Sequence, residues 1–164
     1  MTLDAQPWAG ALEAVDRILN REREADEVLR QTVRLLVDRI GRYAWVGLYF
    51  VEGSELALGP RAGTSAAGRE RVPLAADTPI GAAVAERRTV GGRPPGDEGA
   101  QGPPELDVPV LWEGTAVAVL NVDASPGTQL DEHDRAFLER VALLVSAHCL
   151  VGWDTGGVDW EDVA

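Results

Sequence analysis

Two segments of the chain read as strand–turn–strand, and they constrain the fold more than any other feature. The first, YAWVGLYFVEGSELALG, is an apolar and aromatic strand from Tyr43 to Val51, a turn at Glu52–Ser54, and a return strand from Glu55 to Gly59. The second, ELDVPVLWEGTAVAVLNVDA, spans Glu105 to Ala124 and turns at Glu113-Gly114. Turns this short join antiparallel neighbours, whereas parallel neighbours need a crossover of about a dozen residues or more. The first strand is apolar on both faces, which predicts a covering layer on each side of the sheet.

Helical periodicity brackets the two hairpins. Leu12, Val15 and Leu19 share a face over Trp8–Asn20. Over Glu22–Ile40 the stripe is Ala25, Val28, Leu29, Thr32, Leu36, Val37 and Ile40, with arginines and acids opposite and Gly41 as the stop. Asp131 caps a long helix to about Val151, with Phe137, Val141, Leu144, Val145 and His148 on one face. Between the hairpins, Arg69–Ala75 reads as a strand. Thr78–Arg88 reads as a short helix, with Thr78 as N-cap and Pro79 in the first helical position. Gly91–Pro104 is a low-complexity loop with almost nothing apolar to bury.

This order predicts an α+β domain over residues 1–151, with an acidic tail at 152–164 that carries two tryptophans, Trp153 and Trp160. The antiparallel sheet would carry the long N- and C-terminal helices on one face, and pocket loops with the short helix on the other. The stretch LALGPRAGTSAAG, Leu56–Gly68, turns at Gly59-Pro60 and dissolves into small residues, as a pocket rim does. It lacks the glycine spacing and the lysine of a phosphate-binding P-loop.

Charge and cysteine count remove whole classes of function. The 164 residues carry a formal net charge of -12, and all 15 basic residues are arginine. A surface this acidic repels phosphate backbones and anionic lipid, which argues against nucleic-acid and membrane partners. Cys149 is the only cysteine, and His133 and His148 are the only histidines. An intrachain disulfide, a cysteine-based metal cluster and a multi-histidine site are therefore excluded, and no cofactor is implied. The start of the chain lacks a basic, apolar leader and no apolar run approaches about 18 residues, so a cytoplasmic protein is expected.

The local strings resemble the GAF domain, a relative of PAS domains, and within it free methionine-(R)-sulfoxide reductase. WVGLYF resembles that family's first strand, and LALGPRAG its Leu-Gly-Pro-Phe-Gln-Gly turn. PELDVPVL resembles its Ser-Glu-Ile-Val-Val-Pro strand, AVLNVDASP its Gly-Val-Leu-Asp-Ile-Asp-Ser strand end, and LDEHDRAFLE its final helix start. The resemblance runs from about Tyr43 to Leu144. It implies a pocket lined by Trp45, Tyr49, Glu105, Asn121 and Asp123, with Asn121 where the family has an aspartate. It also implies an amino-acid-sized ligand and a homodimer formed through the terminal helices.

The chemistry of the reductase is not carried over. Ala67 and Ile80 stand where the family has two of its cysteines, and GDEGAQGP replaces the segment with the catalytic one. Reduction by that route needs an attacking thiolate and a resolving thiol. The resemblance thus implies a non-catalytic, stand-alone sensor or signalling module. A diverged reductase and a ligand-free interaction module are the alternatives.

Read from the residues alone, Trp45 and Tyr49 suit a core as well as a pocket wall. Glu105, Asp107 and Asp123 suit ordinary strand-end charge. Period two nonetheless places Glu105, Asn121 and Asp123 at one end of neighbouring strands. Converging carboxylates raise one another's pKa and favour a cation such as an ammonium group; the neutral Asn121 weakens both effects. Asp131, Glu132 and Asp134 read as helix-start acids, and His148 and Cys149 as packing residues.

Overall fold

The computed structural model describes residues 6–22, 24–64, 70–92 and 105–149. Two helices open the chain, α1 (Gln6–Arg21) and α2 (Ala25–Arg39). There follow β1 (Tyr43–Glu52), β2 (Glu55–Gly63), β3 (Arg71–Pro73), α3 (Pro79–Glu86), β4 (Val90–Gly92), β5 (Glu105–Trp112), β6 (Thr115–Ala124) and α4 (Glu132–Cys149). The six strands form one antiparallel sheet in the order β3-β2-β1-β6-β5-β4. Among the described residues, no helix is long and apolar enough to cross a membrane.

Both hairpins form at the expected turns. In the second, Trp112 pairs with Thr115, and Glu113 and Gly114 both have positive φ, 51° and 80°. Positive φ at both central residues matches the right-handed twist of the flanking strands.

Alternation along the central strands sorts their side chains into two layers. Val46, Leu48 and Phe50 of β1 point the same way as Leu120 and Val122 of β6 and Val108 of β5. They pack on Leu29, Val33 and Leu36 of α2 and on Phe137, Leu138 and Val141 of α4. The apolar stripes of both long helices are thus buried against the sheet. On the other face, Tyr49, Leu56 and Val119 meet Ala83, Ile80 and Val84 of α3. Both sides of β1 are covered, as its composition predicts.

Local chemistry fixes the starts of α3 and α4. Thr78 Oγ1 accepts the amide hydrogen of Gly81 at 3.1 Å and donates to the Ala75 carbonyl at 2.7 Å. A Cβ at position 81 would lie 1.9 Å from that carbonyl oxygen, so the cap requires glycine there. Asp131 accepts from the backbone N–H groups of His133 and Asp134, while Asp134 Oδ2 accepts from the N–H of Asp131 at 2.8 Å. This reciprocal pair closes the start of α4. Asp134 is more than a helix-start acid: it is fully buried, receives the Tyr43 hydroxyl at 3.0 Å and pairs with Arg42 at 3.1 Å.

Two strands differ from the sequence expectation. β2 runs on through Gly59-Pro60 to Gly63, where a loop was expected. Gly47 pairs with Arg61 and Tyr49 with Leu58, so Gly59 and Pro60 together oppose Leu48 in a bulge. The bulge is where a strand tolerates a residue without an N–H. Residues 65–68 of the rim stretch, Ala67 included, lie outside the described residues, as does Arg69 of the next expected strand. The second difference is β4: Val90, Gly91 and Gly92 pair with Asp107, Leu106 and Glu105. Two glycines carry no strand propensity, so the pairing is imposed by β5. Residues 93–104 of the expected loop and the tail beyond α4 lie outside the described residues.

Candidate functional site

The register of β1, β6 and β5 builds the site row by row on the α3 side of the sheet. Trp45 faces Asp123, which faces Glu105; one row along, Gly47 faces Asn121, which faces Asp107. The next row is Tyr49, Val119 and Pro109. Two rows of polar side chains therefore sit beside one apolar row.

Gly47 shapes the first two rows. A Cβ there would lie 2.8 Å from Cζ2 and 3.0 Å from Nε1 of the Trp45 indole. The ring thus lies along its own strand, over the space a side chain would fill. This carries Nε1–H across to Asn121 Oδ1 at 3.0 Å. The Asn121 amide then donates to Glu105 Oε2 at 3.0 Å and to Asp107 Oδ1 at 2.7 Å. Its oxygen takes the indole and its two hydrogens take the two carboxylates. The reverse amide orientation would set N–H against N–H, so the network fixes it.

Electrostatics concentrate on the β5 side. Asp107 is fully buried, and its Oδ2 has no hydrogen-bond partner among the described residues. Burial pushes its pKa well above the usual carboxylate range, the Glu105 charge adds to this, and the Asn121 hydrogen bond opposes it. Glu105 is also raised, first by burial and further by Asp123, again against the Asn121 hydrogen bond. Among the described residues, no arginine acts on either carboxyl. The site favours a proton or a cationic group.

The structure brings together Trp45, Asn121 and Glu105 through hydrogen bonds, and places Asp123 between Trp45 and Glu105 in register. Tyr49 shares the face but packs in the apolar cluster under α3. Asp107 joins the network, although the set expected from sequence was built without it. The signal for it was present: Glu105 and Asp107 alternate with Leu106 and Val108, so both acids point away from the helical core. Ile80, at one of the family's cysteine positions, packs against the Tyr49 cluster. Ala67 and the segment GDEGAQGP lie outside the described residues. Cys149, the chain's single cysteine, is the last residue of α4, the helix that packs on the opposite face of the sheet. Among the described residues, no group of three or more His, Cys, Asp or Glu side chains could hold a metal ion.

Known structures share this architecture. Free methionine-R-sulfoxide reductase from Neisseria meningitidis, in complex with its substrate, matches with a TM-score of 0.76 and 23% identity, over 90% of this chain and 91% of that one. The fRMsr of Staphylococcus aureus, also in complex with substrate, matches with a TM-score of 0.74 and 26% identity, over 87% and 95%. The GAF domain of an Acinetobacter phosphoenolpyruvate-protein phosphotransferase matches with a TM-score of 0.76 and 16% identity, over 92% and 98%. No curated protein matches the sequence. The GAF domain family model covers residues 22–148, which takes in α2, the whole sheet and nearly all of α4: the chain belongs to the GAF domain family.

Proposed function

We propose that this chain is a ligand-binding GAF domain that works without thiol chemistry. The ligand is an amino-acid-sized molecule whose ammonium group is held between Glu105 and Asp123, beside the Trp45 indole. The observation that carries this reading is the Asn121 network, which holds an indole and two carboxyls in fixed positions, with no arginine among the described residues acting on either carboxyl. A cation in that position neutralises carboxylates that otherwise repel one another. Two of the similar structures are substrate complexes of reductases that act on an amino acid. In this reading the module signals by changing its association with another chain.

The competing reading is a diverged reductase, favoured by those same two structures. It must supply an attacking thiolate and a resolving thiol from a sequence with one cysteine. Two measurements separate the readings. Isothermal titration with free amino acids and small amines is expected to find saturable binding that weakens in Glu105→Gln. A thiol-dependent assay on free methionine-(R)-sulfoxide is expected to show no turnover above background. Turnover that disappears in Cys149→Ser would replace this reading with the reductase.

A further inference from the structure

The outer surface of the α1–α2 pair carries a feature that the site does not use. The two helices pack against each other and leave between them an open groove of about 400 Å³. Arg17, Arg21, Arg34 and Arg39 line it, over a floor that includes Ile18 and Leu35. Four guanidinium groups thus share one groove of a chain whose net charge is -12. A single acid, Asp38, stands among them. The internal contacts of these arginines are weak. Arg17 lies 3.7 Å from Glu13 with both side chains in solvent, and Arg21 donates to Gln31 at 3.1 Å. Among the described residues, Arg34 and Arg39 are exposed and have no ion-pair partner. Clustered like charges repel, and an anionic occupant relieves that repulsion.

We propose that the groove is the docking site for the acidic segment 150–164 of the same chain. That segment, LVGWDTGGVDWEDVA, contains Asp154, Asp159, Glu161 and Asp162 but no basic residue. Its chemistry matches the groove in two ways. Carboxylates pair with guanidinium groups through two-pronged hydrogen bonds. The indoles of Trp153 and Trp160 suit the apolar floor and stack on arginine. The segment also starts in the right place. Leu144 of α4 packs against the Val15, Ile18, Leu19 and Val28 cluster, and Ile18 is shared between that cluster and the groove. Fifteen residues span up to about 50 Å when extended, against about 12 Å for the α2 segment that lines the groove. Tethering raises the local concentration of the segment to about millimolar, so modest contacts hold it.

Charge reversal in the full chain tests the proposal, with amide hydrogen exchange of residues 150–164 as the readout. In low salt the segment is expected to exchange roughly tenfold more slowly than in about 0.5 M NaCl, where ion pairs are screened. Arg34→Glu with Arg39→Glu is expected to abolish that difference, as is Asp159→Arg with Glu161→Arg and Asp162→Arg. Combining the two sets is expected to restore it, an outcome that general destabilisation does not produce. Circular dichroism checks that each variant retains the fold. Equal exchange in the parent chain and the Arg34/Arg39 variant overturns the proposal. Protection that rises with protein concentration alongside a dimer by light scattering also overturns it, by placing a second copy in the groove.

Discussion

Trp45 Nε1 lies 3.0 Å from Asn121 Oδ1, and this one hydrogen bond ties the indole of β1 to the amide that holds both carboxyls of β5. Asn121 is thus a strut: its hydrogens are committed to Glu105 and Asp107. Asn121→Ala leaves the buried Trp45 N–H, the buried Asp107 carboxyl and the half-buried Glu105 carboxyl without that partner. Each unsatisfied buried group costs about 1–3 kcal/mol, offset in part by water entering the space. Urea denaturation at neutral pH is expected to show a loss of at least about 2 kcal/mol. A loss within about 0.5 kcal/mol, as for an ordinary surface change, would show that the amide is not a strut.

Gly47 is the complementary half of that arrangement. In Gly47→Ala the new Cβ meets the Trp45 ring at 2.8 Å, so a buried ring must shift. Overpacking of this kind costs about 1–3 kcal/mol. A shift away from β6 also lengthens the bond to Asn121. Expected together are a lower melting temperature and a changed near-ultraviolet circular dichroism signal. An unchanged spectrum would mean that the strand moves and the ring does not.

Local chemistry made most of the fold legible. The two hairpins, the Thr78-Pro79 start of α3 and the Asp131 cap of α4 depend on residues within a few positions of each other. β2 and β4 depend on distant partners. Gly59-Pro60 looks like a turn in isolation, and becomes a bulge because Leu48 faces it across the sheet. Gly91-Gly92 looks like a linker, and becomes a strand because β5 offers a ladder. The site divides the same way. Period two placed Glu105, Asn121 and Asp123 on one face. The bond between Trp45 and Asn121, 76 positions apart, needs the β1–β6 register, which neither segment contains. The full burial of Asp107 comes from the tertiary packing of its strand end, with β4 paired along the far edge of β5.

Asp107 makes stability depend on pH in an unusual direction. Its folded pKa is raised, first by burial and then by Glu105, so between the unfolded value and the folded one the native state binds more protons. Stability contributed by this group is present below about pH 4 and is lost as pH rises through the folded value, with a slope of at most about 1.4 kcal/mol per pH unit. Asp107→Asn removes that loss while keeping an oxygen for the Asn121 amide. Relative to the parent, the variant is expected to gain stability as pH rises from 5 to 8. A parallel pair of stability curves over that range would contradict the assignment.

Asp134 joins the start of α4 to the start of β1. Its Oδ1 accepts from Tyr43, and its Oδ2 accepts from the Asp131 amide and pairs with Arg42. Tyr43→Phe removes one hydrogen bond, worth about 1 kcal/mol. Asp134→Ala removes the cap, the hydroxyl's partner and the arginine's partner together, and is expected to cost about 2–4 kcal/mol. With Asp134 already replaced, Tyr43→Phe should cost less than it does in the parent chain. A double-mutant cycle in guanidinium chloride measures this, with a coupling of at least about 0.5 kcal/mol expected for residues in contact. Additive losses would place the Tyr43 hydroxyl outside the linkage and leave Asp134 acting through Asp131 and Arg42 alone.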